Sequence, residues 1–380
     1  MIRVLFVDDE PNVLHAMRRS LHSMRNEWGM GFVLGGEEAL QALAATPADV
    51  IVTDMRMPGM DGWQLLTEVK KRHPQTVRMI LSGHAEATSI MRAVGIAHQY
   101  LAKPCEGAAV KQAIAQTQSL RHLVQSDHLA ALVGRVGVLP SEPRAFQELV
   151  HCLQAPSASL GDAARIIGRD VAMTANIMKV VNSAFFGARQ PIASTSRAVA
   201  YLGLDTLGAL VLGHGVFKKH GKSGQARFTS ERLWAHSLQT AMAARVIAQC
   251  EAFSSAEVER VFLAGFLHDI GKIVLPDGAM EMREQHAAVG AYLLALWGFP
   301  NPIVEAVAYH HVPSRACGDG LGLTGVLHVA DYLVHEKEAP AIGAVEAALE
   351  EGFLESRGLS NRLEKWRSAL NNLTQEQVAQ

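Results

Sequence analysis

Five side chains in the first 103 residues have the types and spacing of a phosphoryl-transfer site. Asp8 and Asp9 follow the apolar run Ile2 to Val7, Asp54 follows Val50 to Thr53, Ser82 follows Val77 to Leu81, and Lys103 follows Ala97 to Ala102. Each polar group therefore stands at the end of a β-rich run, where neighbouring strand ends can converge. Three carboxylates gathered in one cup repel one another, so the set needs a divalent cation or raised pKa values. Mg²⁺ suits it, because that ion takes a few carboxylates and keeps its waters and substrate oxygens. A carboxylate can also attack phosphorus to give an acyl phosphate. The Ser82 hydroxyl and the Lys103 ammonium can each hold a phosphoryl oxygen.

A second set lies far downstream. The chain has 17 histidines, and the later part carries His236, the pair His268-Asp269, His286, the pair His310-His311, and Asp331. A lone helical histidine is usually a surface or satisfied core residue. Imidazole and carboxylate together are the usual nitrogen and oxygen ligands of Zn, Fe, Mn or Ni. Neighbours on a helix point about 100° apart, so an ion lying between the two directions is reached by both members of a doublet. Lys272, three residues after Asp269, is placed to meet a substrate phosphate.

The elements that must position these groups differ between the two halves. The β-rich runs Ile2 to Val7, Gly31 to Leu34, Val50 to Thr53, Val77 to Leu81 and Ala97 to Ala102 alternate with amphipathic stretches such as Gly62 to Arg72. Five βα units predict a doubly wound five-stranded parallel sheet, with ligands beyond the carboxyl ends of its strands. Glu106 to Gly134 reads as one long helix, with Ala113, Thr117, Leu120 and Val124 in a 4-3-4 spacing. That spacing suits a short dimeric coiled coil as well as a helix packed on its own domain. After Leu139-Pro140 the strand signals stop, and the second domain is expected to be all-α. Ile166, Ile167, Val171, Ile177, Met178 and Val181 read as core, and Asn182-Ser183 as a cap. In the helical tail from Ala341, residues Leu349, Phe353, Leu363 and Trp366 read as docking groups.

Length and composition set the frame. A chain of 380 residues exceeds one ordinary core, so two domains are expected. A formal charge of -2 gives no global basic field, and no helix-turn-helix or basic stripe points to DNA. The four cysteines, Cys105, Cys152, Cys250 and Cys317, form no CxxC pair, which fits a reducing cytoplasm. The opening MIRVLFVDDE is no signal peptide. The apolar stretch Ala198 to Phe217 contains Asp205 and His214, and reads as buried helices joined by a turn rather than as a membrane span.

The first region resembles the receiver domain of two-component response regulators, on VDDE at Asp8 and Asp9, TDMRMPGMDG at Asp54, LSGH at Ser82 and YLAKP at Lys103. The resemblance implies that Asp54 is the phosphoacceptor and that Asp8, Asp9, Asp54 and the backbone carbonyl of Arg56 hold Mg²⁺. It also implies that Lys103 contacts the phosphate, that Ser82 and Tyr100 form the switch pair, and that the Lys103-Pro104 bond is cis. A cognate sensor histidine kinase is the implied partner. Phosphorylation would draw in Ser82 and Lys103, let Tyr100 turn inward, and change a homodimer contact or the linker helix.

The second region resembles the HD superfamily of metal-dependent phosphohydrolases, and in particular the HDOD output domain. The residues are LAGFLHDIGK, EQHAAVGAYLLALWGFP, YHH and HVAD, with LPSEPRAFQELVHCL, DVAMTANIMKVVNSAFFG and AVAYLGLDTLGAL upstream. The resemblance implies one metal on His236, His268, Asp269 and Asp331. A second would sit on Asp269, His286, His310 and His311. The related HD-GYP phosphodiesterases of cyclic di-GMP carry motifs absent here. Val312 follows His311 where they have Glu, residues 317–323 read CGDGLGL without Gly-Tyr-Pro, Arg232 stands where a third-metal Glu is expected, and no Arg-Pro-Tyr follows Asp331. Two functions follow. One is a phospho-regulated signalling protein whose output binds a partner protein or nucleotide ligand. The other is a phospho-regulated metallo-phosphodiesterase or phosphohydrolase. The expected division is a receiver at 1–122, a linker helix at 123–138, an HDOD domain at 139–335 and a helical tail at 336–380.

Overall fold

The computed structural model describes residues 1–82, 95–103, 105, 107–119, 121–124, 126–141, 143–155, 157–183, 192–213, 218–219, 226–275, 283–337 and 348–378. The first domain comprises β1 (Ile2–Val7), α1 (Pro11–Ser20), β2 (Trp28–Val33), α2 (Gly36–Ala45), β3 (Val50–Asp54), α3 (Gly62–Arg72), β4 (Val77–Ser82), β5 (Gln99–Ala102) and α4 (Gly107–Ser119). Its five strands are all parallel, in the order β2-β1-β3-β4-β5. The two-residue side-chain period divides each strand between two faces. Leu5, Val7, Ile51 and Ile80 pack with Ala39, Leu43, Leu65 and Val69 of α2 and α3. Val4, Phe6, Val52 and Met79 pack with Leu14 and Met17 of α1 and Val110 and Ile114 of α4. Asp61 caps α3 reciprocally with Gln64, which fixes where the chain leaves the loop after Asp54.

The second β-rich run needs correcting. The strand begins at Trp28, three residues before the expected Gly31, and pairs from Ile2↔Trp28 onward. Gly29 and Gly31 lower strand propensity and hide its start. The single long helix is also overturned. It breaks after Ser119, passes through a 3₁₀ turn at Arg121–Leu123, and resumes as α5 (Asp127–Arg135). Ser126 caps α5 by accepting from the Leu129 N–H, while Arg121 donates to Val124 O and pairs with Asp127. These local bonds compete with helix continuation. Val124, one of the 4-3-4 positions, is buried within this one chain's core.

The second domain contains α6 (Pro143–Gln154), α7 (Leu160–Ile167), α8 (Val171–Val181), α9 (Thr195–Gly208), α10 (Ala226–Cys250), α11 (Ser255–Leu267), α12 (Gly271–Val274), α13 (Arg283–Leu296), α14 (Asn301–Tyr309) and α15 (Gly322–Lys337). The tail adds α16 (Glu351–Ser356) and α17 (Leu363–Val378). The domain is predominantly helical rather than wholly so, because β6 (Pro140–Ser141) pairs in parallel with β7 (Lys218–Lys219). All residues of α8 are buried, Ile166 and Ile167 among their neighbours. Asn182 ends α8 and exchanges both amide bonds with Ile192, while Ser183 donates to Val180 O. In the tail Phe353 and Trp366 are fully packed, with Leu349 and Leu363 against the same cluster. The apolar stretch from Ala198 forms the later part of α9 and a π-helical turn at Ala209–Gly213; residues 214–217 lie outside the described ones. Among the described residues, no helix is long and apolar enough to cross a membrane.

The two domains share one hydrophobic cluster, which runs from Val4 and Met79 through Val133 and Leu139 to Ile177 and Trp297. Polar bonds cross the same joint. Gln99 donates to Ala295 O at 3.1 Å, Gln116 donates to Phe299 O, and Lys179 on α8 donates to Ala97 O at 3.0 Å and Gly137 O at 2.8 Å. Arg78 on β4 has no exposed surface and donates to Ile96 O and Gly134 O. Burial pushes its pKa down to about 9. His98 beside it is held neutral, its pKa driven well below the usual range by burial and then by the charges of Arg78 and Lys179. Its Nδ1 accepts the Arg78 N–H, and its Nε2 lies 2.8 Å from Arg78 Nη2 and 3.2 Å from Gly134 O. The connecting chain lies so close that a Cβ on Gly137 would meet Gly95 O at 1.8 Å. Only glycine fits there.

Candidate functional site

At the carboxyl end of the sheet, parallel pairing of β1 with β3 carries Asp8 and Asp54 to the same rim. Lys103, just past β5, reaches back and joins them. Its ammonium lies 2.9 Å from Asp8 Oδ2 and pairs directly with Asp54 Oδ1. The Arg56 N–H donates to Asp54 Oδ2 at 2.9 Å, and the Glu10 N–H donates to Asp8 Oδ1 at 3.0 Å. Asp9 is half-buried beside them. Burial raises the Asp54 pKa, against the opposing pull of the Lys103 hydrogen bond and charge. Burial disfavours the Lys103 ammonium, yet its bonds to Asp54 and Asp8 outweigh that and raise its pKa. The arrangement is a buried carboxylate with one cation fixed on it and hard oxygen donors on the next strand, a donor set suited to Mg²⁺.

Ser82 ends β4 in register with Ala102, and its side chain lies outside the described part. Residues 83–94 also lie outside, as does Pro104, whose peptide bond with Lys103 is expected to be cis. Tyr100, the expected switch partner of Ser82, lies on β5. Its ring is already buried, 4% exposed, among Leu5, Val7, Ile51 and Ile80. Its hydroxyl has no hydrogen-bond partner among the described residues.

The histidine set assembles from five helices or their ends. His236 comes from α10, His268-Asp269 from the end of α11, His286 from α13, His310-His311 from the end of α14, and Asp331 from α15. Gly271 makes one of these approaches possible, since a Cβ there would lie 2.0 Å from His286 O. His268 Nδ1 donates to Gly265 O and His310 Nδ1 donates to Val307 O, each at 2.7 Å. A ring anchored through Nδ1–H turns its Nε2 lone pair inward, as a metal-ligating histidine does.

The inward atoms are close. Asp331 Oδ1 lies 3.1 Å from His236 Nε2 and 3.5 Å from His268 Nε2. Asp269 Oδ2 lies 3.4 Å from His268 Nε2 and 3.9 Å from His236 Nε2. Its other oxygen lies 3.0 Å from His286 Nε2, which is 3.1 Å from His311 Nε2. Two donors each at about 2.1 Å from a shared ion stand roughly 3–3.5 Å apart. Asp269 thus turns one oxygen to each half of the set. Among the described residues, His310 Nε2 and His286 Nδ1 are buried without a hydrogen-bond partner. An orphaned imidazole lone pair inside such a cluster fits a cation.

Electrostatics agree with that fit. Burial holds His310 neutral, and it presses the His311 pKa down to about 3. Burial alone would raise Asp269 and Asp331, but neighbouring charges and hydrogen bonds keep both carboxyls well below the usual range. For Asp269 those neighbours are His268, Lys272 and His286; for Asp331 they are His236, His268 and His335. Neutral imidazoles and ionised carboxylates are the protonation states metal ligation requires. Lys272 is not free toward a substrate, because its ammonium sits 2.5 Å from Asp269 Oδ2.

Sequence reasoning missed two histidines on α15. His335 Nδ1 lies 3.1 Å from Asp331 Oδ1, and the i,i+4 spacing from Asp331 was the available signal. His328 donates from Nδ1 to His310 O at 2.7 Å and accepts the Glu350 N–H at Nε2 at 2.9 Å, which ties the tail to the His310 turn. No spacing rule in the sequence points to that link.

Comparison with known proteins agrees with this layout. The response regulator receiver domain model matches residues 4–115, the HDOD domain model 139–285, and the HD domain model 233–339. An uncharacterized protein of Treponema pallidum is 25% identical over 205 residues, covering 48% of this chain and 39% of its own length. The DNA-binding transcriptional regulator NtrC of Escherichia coli is 35% identical over 124 residues, covering 30% of this chain and 25% of its own. The chain thus spans well under half the length of these curated relatives. Among solved structures, the MmoQ response regulator from Methylococcus capsulatus str. Bath is 20% identical with a TM-score of 0.43, covering 60% of this chain and 98% of that one. With a receiver first and an HDOD/HD output domain second, the protein belongs to the response regulators of two-component signalling.

Proposed function

We propose that a sensor histidine kinase phosphorylates Asp54 and that this controls an output domain holding one or two divalent metal ions. The output relays the signal by binding a partner protein or a nucleotide-like ligand. The observation that carries this reading is the inward-facing imidazole set packed around the buried carboxylates of Asp269 and Asp331. Asp8, Asp9, Asp54 and the Arg56 carbonyl would hold Mg²⁺, which supplies charge neutralisation for an incoming phosphoryl group. Lys103 then holds a phosphoryl oxygen, and Asp54 supplies the attacking carboxylate oxygen. The division at 1–122, 123–138, 139–335 and 336–380 and a cytoplasmic setting belong to the same reading.

One observation favours a second reading, a metal-dependent phosphodiesterase or phosphohydrolase. Asp269 faces the two halves of the cluster with its two oxygens, the disposition of a carboxylate bridging a pair of ions. Such a pair supplies a hydroxide of lowered pKa for in-line attack. Val312, Arg232 and the CGDGLGL segment leave cyclic di-GMP weakly supported as its substrate.

Acetyl phosphate should give a slower band of the full chain on a phosphate-affinity gel, and Asp54→Ala should abolish it. An unchanged shift in the variant removes Asp54 as acceptor. Elemental analysis of purified protein should find Fe, Mn, Zn or Ni, lost in His268→Ala with Asp269→Ala. A phosphoester hydrolysis screen with and without chelator then separates the two readings. Chelator-sensitive turnover supports the hydrolase, and metal without turnover supports the binding module.

A further inference from the structure

His335 stands one helical turn beyond Asp331, and the four-residue spacing puts both on one face of α15. Its Nδ1 is 3.1 Å from Asp331 Oδ1, the same oxygen that His236 Nε2 approaches at 3.1 Å. The rings of His236 and His335 are 4.4 Å apart at 66°. Donor atoms of His236, Asp331 and His335 all fall within 4.8 Å of one another, as do those of His236, His268 and Asp269. His335 also lies 3.0 Å from the Asp331 backbone oxygen. That carbonyl sits inside α15, where the helix ladder supplies its own N–H. Turning Nδ1 from it toward an ion leaves no orphaned acceptor.

We propose that His335 is a further ligand of the ion held by His236, His268, Asp269 and Asp331, and that it closes the solvent-facing side of that ion. The inference rests on the reading that the cluster binds metal. The side chain of His335 is 26% exposed, whereas those of His236, His268, Asp269 and Asp331 are 10%, 1%, 2% and 3% exposed. It is therefore the rim of this half. Three imidazoles and two carboxylates leave at most one position on a six-coordinate ion. Sites filled by protein donors are structural, while catalytic ones keep an open position. Five nitrogen and oxygen donors also exceed the tetrahedral set that Zn²⁺ prefers, and suit Fe²⁺, Mn²⁺ or Ni²⁺. An exogenous ligand is directed to the other half, on Asp269, His286, His310 and His311.

The test uses the full chain loaded with Co²⁺, comparing the native protein with His335→Ala and His335→Gln. The readouts are metal retained per chain across a chelator series and the d–d absorption of bound Co²⁺. In His335→Ala one equivalent should be held at least 10-fold more weakly, in line with the 10–100-fold cost of losing even outer-shell support. Its absorption should intensify as the coordination number falls, and free imidazole should restore the native spectrum. Retention and a spectrum unchanged in His335→Ala overturn the proposal. So does weaker retention with an unchanged spectrum, which would leave His335 merely orienting Asp331. If the native chain takes up no metal, the cluster reading itself fails, a result separate from either. The rim position means truncation opens no core cavity, and His335→Gln with a melting curve separates ligand loss from unfolding.

Discussion

Tyr100 shows how much a single hydroxyl can reveal. Its ring fills the sheet core while its oxygen is buried without a partner among the described residues, and burial drives its pKa well above the usual range. An unpaired buried polar group costs about 1–3 kcal/mol. Tyr100→Phe should therefore leave stability unchanged or raise it by up to about 1 kcal/mol in urea unfolding, with Asp54 phosphorylation intact on a phosphate-affinity gel. A loss of more than about 1 kcal/mol would show that the hydroxyl is paired. The residues around it illustrate what the sequence makes legible. Asp8, Asp54 and Lys103 were readable because each follows an apolar run, and strand register converts that position into proximity. Arg78, His98 and Lys179 were not readable. Nothing about a cation in a strand or helix announces that it will be buried against backbone carbonyls contributed by another domain.

At the scale of elements, the histidine cluster depends on how closely helices approach. The HD doublet ends α11 and His286 opens the next long helix, and Gly271 on α12 lets the two meet. Gly271→Ala would press a methyl onto His286 O. Overpacking of that kind costs typically 1–3 kcal/mol, and it pushes His286 away from Asp269. The expected outcome is a lower melting temperature together with loss of metal from the half that includes His286. A native melting temperature with full metal content would count against the close approach. The doublets signalled this site because their residue types are rare side by side. The helix break after Ser119 escaped notice because its 4-3-4 spacing continues through the break. Apolar period alone does not distinguish one helix from two that share a core, and the Ser126 cap decides the matter locally.

For the whole molecule, the joint between the domains carries a pH dependence. His98 is neutral in the folded chain with its pKa depressed, while in the unfolded chain it titrates near the usual value of about 6.5. A depressed folded pKa contributes stability that is present above the unfolded value and is lost as pH falls below it, because only the unfolded state gains the proton. Between pH 7.5 and 5.5 this one group should cost about 1 kcal/mol. His98→Asn keeps an acceptor for the Arg78 N–H and removes the titration. The drop in unfolding free energy over that interval should be smaller in the variant by about that amount. Equal slopes would show that His98 does not titrate between the two states.

The hydrophobic cluster shared by the sheet and the helical domain has a consequence for how this chain can be cut and grafted. A receiver excised at residue 122 would lose Val133, Leu139 and Trp297 from the cluster that it shares with the helical domain. Its Arg78 would lose the Gly134 acceptor and stand uncovered. Transplanted onto another output domain, it would bring half a seam with no matching half. The part that takes the phosphoryl group is thus fitted to its own output domain. Exchanging it would require moving the Arg135–Pro140 segment and the contact face of α8 along with it.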